Sequence, residues 1–193
     1  YGERLIASVT TVATPHRGSA AADAYLALAP GATDPLVDAL MRVYGRIVGA
    51  PRDEAHLRAQ VEAVSSEAMQ RFNDEHPDNP HIAYRSWAGR SVPSILRREF
   101  GDEECRGGVF ANRRALDVVD LLFGLTWQVI RARDGANDGM VSVRSARWGE
   151  FQGCVAADHM DEVGLLADPR RDPISGFESF VLFERIAEAL ENN

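Results

Sequence analysis

Two short segments concentrate the side chains able to do chemistry. One is Gly135-Ala136-Asn137-Asp138-Gly139-Met140-Val141, and the other is Asp158-His159-Met160-Asp161-Glu162-Val163. Each places ionisable residues in a loop after or between apolar stretches. When strands alternate with helices, loops at the strand carboxyl ends are where ligands bind. Asp138 stands 21 residues before His159. An Asp and a His brought together suit nucleophilic catalysis. A serine hydroxyl is a poor nucleophile until an imidazole takes its proton, and a carboxylate must hold that imidazole in the right tautomer and stabilise the imidazolium. By spacing alone the pairing is a weak signal, because Asp and His are common and Asp-Gly is usually only a turn.

The elements that must position these loops can be read from periodicity. Leu5–Val12 is apolar and β-branched, as a buried strand requires. Thr14-Pro15-His16-Arg17-Gly18-Ser19 makes a turn, and Ala20–Ala29 a short helix ended by Pro30-Gly31. Asp34 caps a further helix with Pro35 at its first position. Its apolar residues Leu36, Val37, Leu40, Met41, Val43, Tyr44, Ile47 and Val48 cover more than one face. Asp53–Val64 and Ser66–Asp74, the latter capped by Ser65, read as helices, and His81–Trp87 as an alternating strand with Ile82, Tyr84 and Ser86 on one side. Residues 101–108 form a Gly- and acid-rich loop. Leu116–Arg131 is a long apolar helix, 133–139 a polar loop, and Phe151–Ala156 a short strand. Ile174–Leu190 closes the chain as an amphipathic helix with Phe177, Phe180, Val181, Ile186 and Leu190 inward. Strands alternating with helices predict an α/β class with a mostly parallel sheet, although only about three strands can be counted, few for such a sheet.

Composition narrows the function. The 193 residues are 45% hydrophobic and 26% charged, enough for one domain with a sizeable core. The formal charge of −8 argues against a nucleic-acid partner, since phosphate binding needs a basic surface. All 21 basic residues are arginine, which a GC-rich genome explains. No apolar run reaches the roughly 18 residues of a membrane span. The start, Tyr1-Gly2-Glu3-Arg4, lacks the basic and apolar regions of a signal peptide. Cys105 and Cys154, the two cysteines, are in no CxxC spacing and are open to either one disulfide or two free thiols. His56, His76 and His81 sit in polar surroundings, as do Arg113-Arg114 and Asp102-Glu103-Glu104, and read as surface.

Five stretches in order, LIASVTTVATPHRGS (5–19), SSEAMQRFN (65–73), YRSWAG (84–89), NDGMVSVRSARWG (137–149) and DHMDEVGLL (158–166), resemble the C-terminal half of secreted bacterial triacylglycerol lipases of the Pseudomonas and Burkholderia type. The combination is specific although each piece is not. The resemblance implies an α/β-hydrolase fold, with residues 1–193 as the C-terminal part of one domain and a helical lid within residues 20–50. Asp followed by His is the order in which that fold supplies the last two triad members. The resemblance makes Asp138 and His159 those members, hydrolysing acyl esters of glycerol, and makes His16 a structural turn residue. It also implies one structural Ca2+ held by Asp117, Asp161 and the carbonyls of Leu165 and Pro169, a set of oxygens that calcium accepts. For Asp117 a helix cap or first-turn charge is the competing reading, and for helix 36–48 plain core packing competes with the lid. A secreted, extracellular protein and a foldase chaperone are further implications.

The chain departs from that pattern in three places. No serine has glycine two before and two after it, so G-x-S-x-G is absent, and so is the early His-Gly oxyanion segment. The family's cysteine soon after the NDG segment has no counterpart, which argues against a disulfide of the family type. Three expectations follow. The nucleophile lies outside this sequence, the chain is an inactive relative, or the fold serves as a binding module that retains calcium. A half-domain of this kind should need its missing half or a second copy to cover an open sheet edge.

Overall fold

The computed structural model describes residues 6–28, 57–91, 105, 118–164 and 177–191. Three strands, β1 (Ser8–Val12), β2 (Ala83–Gly89) and β3 (Glu150–Val155), form a parallel sheet in the order β1-β2-β3. Helices α1 (Ala20–Leu28), α2 (Leu57–Ala63), α3 (Ser66–Glu75), α4 (Val118–Asp134), α5 (Val143–Ala146) and α6 (Ser179–Glu191) flank it. The α/β class and the parallel sheet are as expected from sequence. The broad apolar helix at 36–48, the proposed lid beyond α1, lies outside the described residues, as do His56, Arg113-Arg114 and Asp102-Glu103-Glu104. No described helix is long and apolar enough to cross a membrane.

Strand alternation puts two clusters on opposite faces of the sheet. Ala88 and its partner Cys154 face a core of Cys105, Ala136, Val141, Val143 and Ala146. Trp87, Val155 and Val12 face the other way, against Phe177, Leu182 and Ile186. Thus the loop containing Asp138 covers one face and α6 the other, and the strand ends between them are where the two candidate loops meet.

Element ends differ from the sequence reading for local reasons. β2 begins at Ala83 rather than His81, because Asn79 first takes the amides of His81 and Ile82 in a turn. Tyr84 and Ser86 do share a side, and both meet Trp148. Ser65 caps α3 as expected, its hydroxyl accepting from Ala68 N at 3.2 Å. Helix α4 runs three residues further than expected, to Asp134, where Gly135 at φ +89° closes it with its N–H on Arg131 O. The extra turn brings Arg133 to Asp23 of α1, 2.5 Å away.

The C-terminal helix needs a larger correction. It starts at Ser179, not Ile174, and this changes which residues face inward. Phe180 and Leu190 are exposed, at 58% and 42%, instead of buried, and Leu182 at 0% is the anchor. Phe177 is buried as expected, but ahead of the helix. The apolar arc is wider than the sheet can cover, so periodicity alone did not identify its buried half.

Gly18 joins β1 to this framework at one of its tightest points. It adopts φ +81°, and a Cβ there would fall 2.5 Å from the backbone N and Cα of Ser66. A left-handed backbone combined with a backbone clash predicts that Gly18→Ala costs about 3 kcal/mol of folding free energy, measurable by denaturant unfolding.

Candidate active site

The structure brings Asp138 and His159 together. Asp138 is fully buried, and its Oδ2 lies 2.8 Å from His159 Nδ1. Because a carboxylate only accepts, Nδ1 must carry the proton, which leaves Nε2 with a free lone pair. The other oxygen, Oδ1, accepts from Met140 N at 2.9 Å and Val141 N at 2.6 Å. A main-chain bond, His159 N to Asp138 O at 3.1 Å, holds the two loops in register. Burial opposes protonation of His159, but the charge and hydrogen bond of Asp138, with the charge of Asp158, outweigh it and raise its pKa above the ordinary value. The arrangement can therefore accept a proton at Nε2 and stabilise the resulting cation.

The histidine loop is itself built for this position. Asp158 Oδ1 accepts from Met160 N at 2.7 Å and Asp161 N at 2.9 Å, opening the short 3-10 turn Asp161–Val163 that Gly164 ends in a left-handed conformation. Met160 packs with Phe123 and Met140 beside the pair.

Glu162, three residues after His159, has no role in the sequence reading, yet it is 1% exposed. Burial first, then repulsion from Asp138, Asp158 and Asp161, push its carboxyl well above the usual range. Its Oε1 is buried without a hydrogen-bond partner, and Oε2 lies 3.9 Å from His159 Nδ1. Gly89 at the end of β2 makes the room. A Cβ there would come within 1.6 Å of Glu162 Oε1 and 2.8 Å of Asp138 Cβ. Gly89→Ala is expected to expel the Glu162 carboxyl and cost about 2 kcal/mol. Unfolding measurements should find part of that loss recovered in the Gly89→Ala/Glu162→Ala double variant.

Asp138, His159 and Glu162 present donor atoms within 4.8 Å of one another, a spacing able to hold a metal ion. These are not the residues of the calcium expectation. Of those four, Asp161 is described and buried, at 4% exposure, while Asp117, Leu165 and Pro169 lie outside the described residues.

His16 stands apart from the pair. Its Nε2 is 3.0 Å from Thr11 Oγ1 and its ring lies 4.4 Å from that of Trp148. Burial, then the charge of Arg17, lower its pKa to about 4 against a weaker opposite pull from Asp78. It is a neutral packed histidine. His76 and His81 are exposed, as expected. Cys105 and Cys154 form a disulfide, resolving the alternative the sequence left open in favour of the bridge.

A parallel sheet with helices on both faces, and an Asp–His pair at its loop ends, define an α/β fold of the lipase kind. The mature lipase BlEst2 of Bacillus licheniformis shares it at TM-score 0.51 and 20% identity, over 97% of this chain and 56% of that one. The Staphylococcus hyicus lipase does so at TM-score 0.55 and 18% identity, over 95% and 56%. By sequence the chain is distantly homologous to bacterial triacylglycerol lipases. It is 25% identical to those of Pseudarthrobacter phenanthrenivorans and Burkholderia plantarii, over 92% of this chain and 66% and 59% of theirs. Triacylglycerol lipase 2 of Saccharomyces cerevisiae is 26% identical over 82% of this chain and 37% of its own length. The chain thus spans between about a third and two thirds of these curated relatives. No family model matches it.

Proposed function

We propose that this chain carries the base and its orienting acid for an acyl-ester hydrolase of the lipase type, acting on esters of glycerol. The observation that supports this best is the 2.8 Å contact between buried Asp138 and His159, which leaves Nε2 as an acceptor. In this reading a serine supplied from outside the 193 residues attacks the ester carbonyl. His159 Nε2 takes its proton and returns it to the leaving alcohol, and Asp138 holds the ring and stabilises the imidazolium. Relatives named as triacylglycerol lipases supply the substrate class, and the extracellular location rests on the resemblance to secreted lipases alone.

Calcium belongs to the same reading. Buried Asp161 lies among Asp138, Asp158 and Glu162, a concentration of negative charge that fits a hard cation. Asp117, Asp161 and the carbonyls of Leu165 and Pro169 would hold it. When bound, it would neutralise that charge and tie the histidine loop down.

The second reading, a catalytically silent module, is favoured by one observation: no serine of this chain lies in G-x-S-x-G. A partner covering α6, where Phe180, Phe183 and Leu190 are exposed, suits both readings, whether it is a preceding half-domain or a second copy. Hydrolysis of long- and short-chain glycerol esters separates the two readings. The enzyme reading expects activity in the complete polypeptide and its loss in His159→Ala. Activity untouched by that substitution, or none in the complete polypeptide, overturns it.

A further inference from the structure

We propose that Asn137 is a positioning residue for the site: its side chain fixes the loop so that Asp138 presents Oδ2, and not Oδ1, to His159. This rests on the reading above for its catalytic meaning, but its geometry stands independently. Asn137 is fully buried. Its amide nitrogen has two protons, and both are used, on Trp127 O at 3.3 Å and Gly135 O at 3.0 Å. Its Oδ1 accepts from Gly139 N at 2.9 Å. Its main-chain carbonyl accepts from Ser91 N at 3.0 Å, and the Trp127 indole donates to Ser91 O at 2.9 Å. Asn137, Trp127 of α4 and Ser91 just beyond β2 thereby close a ring of hydrogen bonds around the base of the loop.

The consequence lies in three successive amides. Gly139 N–H is taken by Asn137, and Met140 N–H and Val141 N–H fall to Asp138 Oδ1. With Oδ1 committed to two donors, Oδ2 is left for the imidazole. If Asn137 releases Gly139 N–H, that division is no longer imposed. An aspartate at 137 could not substitute, because it would turn acceptors towards the carbonyls of Trp127 and Gly135 and add a charge beside Asp138.

Asn137→Ala and Ser86→Ala make a matched pair. Ser86 is also fully buried and also exchanges two hydrogen bonds with backbone, at Trp148 on another part of the sheet. The first readout is the downfield proton NMR resonance of His159 Nδ1–H, which reports the bond to Asp138 whether or not an ester is cleaved. The second is steady-state hydrolysis. Asn137→Ala is expected to broaden or lose the resonance and to lower kcat about 10²-fold with little change in KM, the scale of a small misplacement in a catalytic group. Ser86→Ala is expected to keep both. If Asn137→Ala does not fold, Trp127→Phe, which removes the indole N–H bonded to Ser91 O together with part of a buried ring, is expected to weaken the resonance. A wild-type resonance in the folded position-137 variant, or in Trp127→Phe where that stands in for it, overturns the inference, as does equal loss in the position-86 variant. A shifted resonance in a protein that cleaves no ester leaves positioning intact and sinks the hydrolase reading alone.

Discussion

If the complete polypeptide hydrolyses esters as proposed, Asp138→Asn is expected to lower its kcat by about 10⁴-fold, or roughly 5 kcal/mol, while the fold persists. The argument is one of hydrogen-bond direction. Two main-chain donors, Met140 N and Val141 N, face one side of the carboxyl group at 2.9 and 2.6 Å. An asparagine must turn its carbonyl oxygen towards them, which leaves its NH2 facing His159 Nδ1. Nδ1 then has to accept, the ring proton moves to Nε2, and the atom that should take the serine proton already carries one. The imidazolium also loses the charge that raises its pKa against burial. Kinetics on a soluble short-chain ester, with circular dichroism to verify folding, check this. A variant retaining a tenth or more of wild-type kcat would show that Asp138 does not orient the base. His159→Ala should fall at least as far, because no described histidine other than His159 contacts Asp138.

Breaking the Cys105–Cys154 bridge should have the largest effect on stability, about 4 kcal/mol, or roughly 10 °C in Tm. The bond closes a sequence separation of 49 residues. The chain-entropy account gives a value of this size for such a loop. Both cysteines are also buried, at 3% and 1%, in the cluster formed by Ala88, Ala136, Val141 and Val143 under the Asp138 loop. Reduction therefore frees Cys105 from β3 and loosens the floor of the site. Thermal melts of the Cys105→Ser/Cys154→Ser variant, and of the wild type with and without reductant, measure the effect. A shift under about 2 °C would mean that the cluster holds without the covalent link.

Much of the frame was legible because local physics dictates it. Val9 and Val12 in a β-branched run and Ser65 ahead of Glu67 and Ala68 each act within a few residues, and a strand and a cap form there, whereas α4 passes the expected end at Arg131 and stops at Gly135. Resemblance to lipases marks Asp138 and His159, whereas spacing supports many pairings equally well.

Tertiary structure alone decided the rest. Sequence could not choose between a disulfide and two thiols at Cys105 and Cys154, because the outcome depends on whether a distant segment meets β3. It could not separate the buried from the exposed half of the C-terminal helix, since Phe180 and Leu182 are equally apolar and only the sheet beneath distinguishes them. Nor could it show Glu162 buried, Gly89 holding space for it, or Asn137 spending its whole side chain on the loop. These roles come from burial and from partners far along the chain, and an isolated residue type carries no record of either.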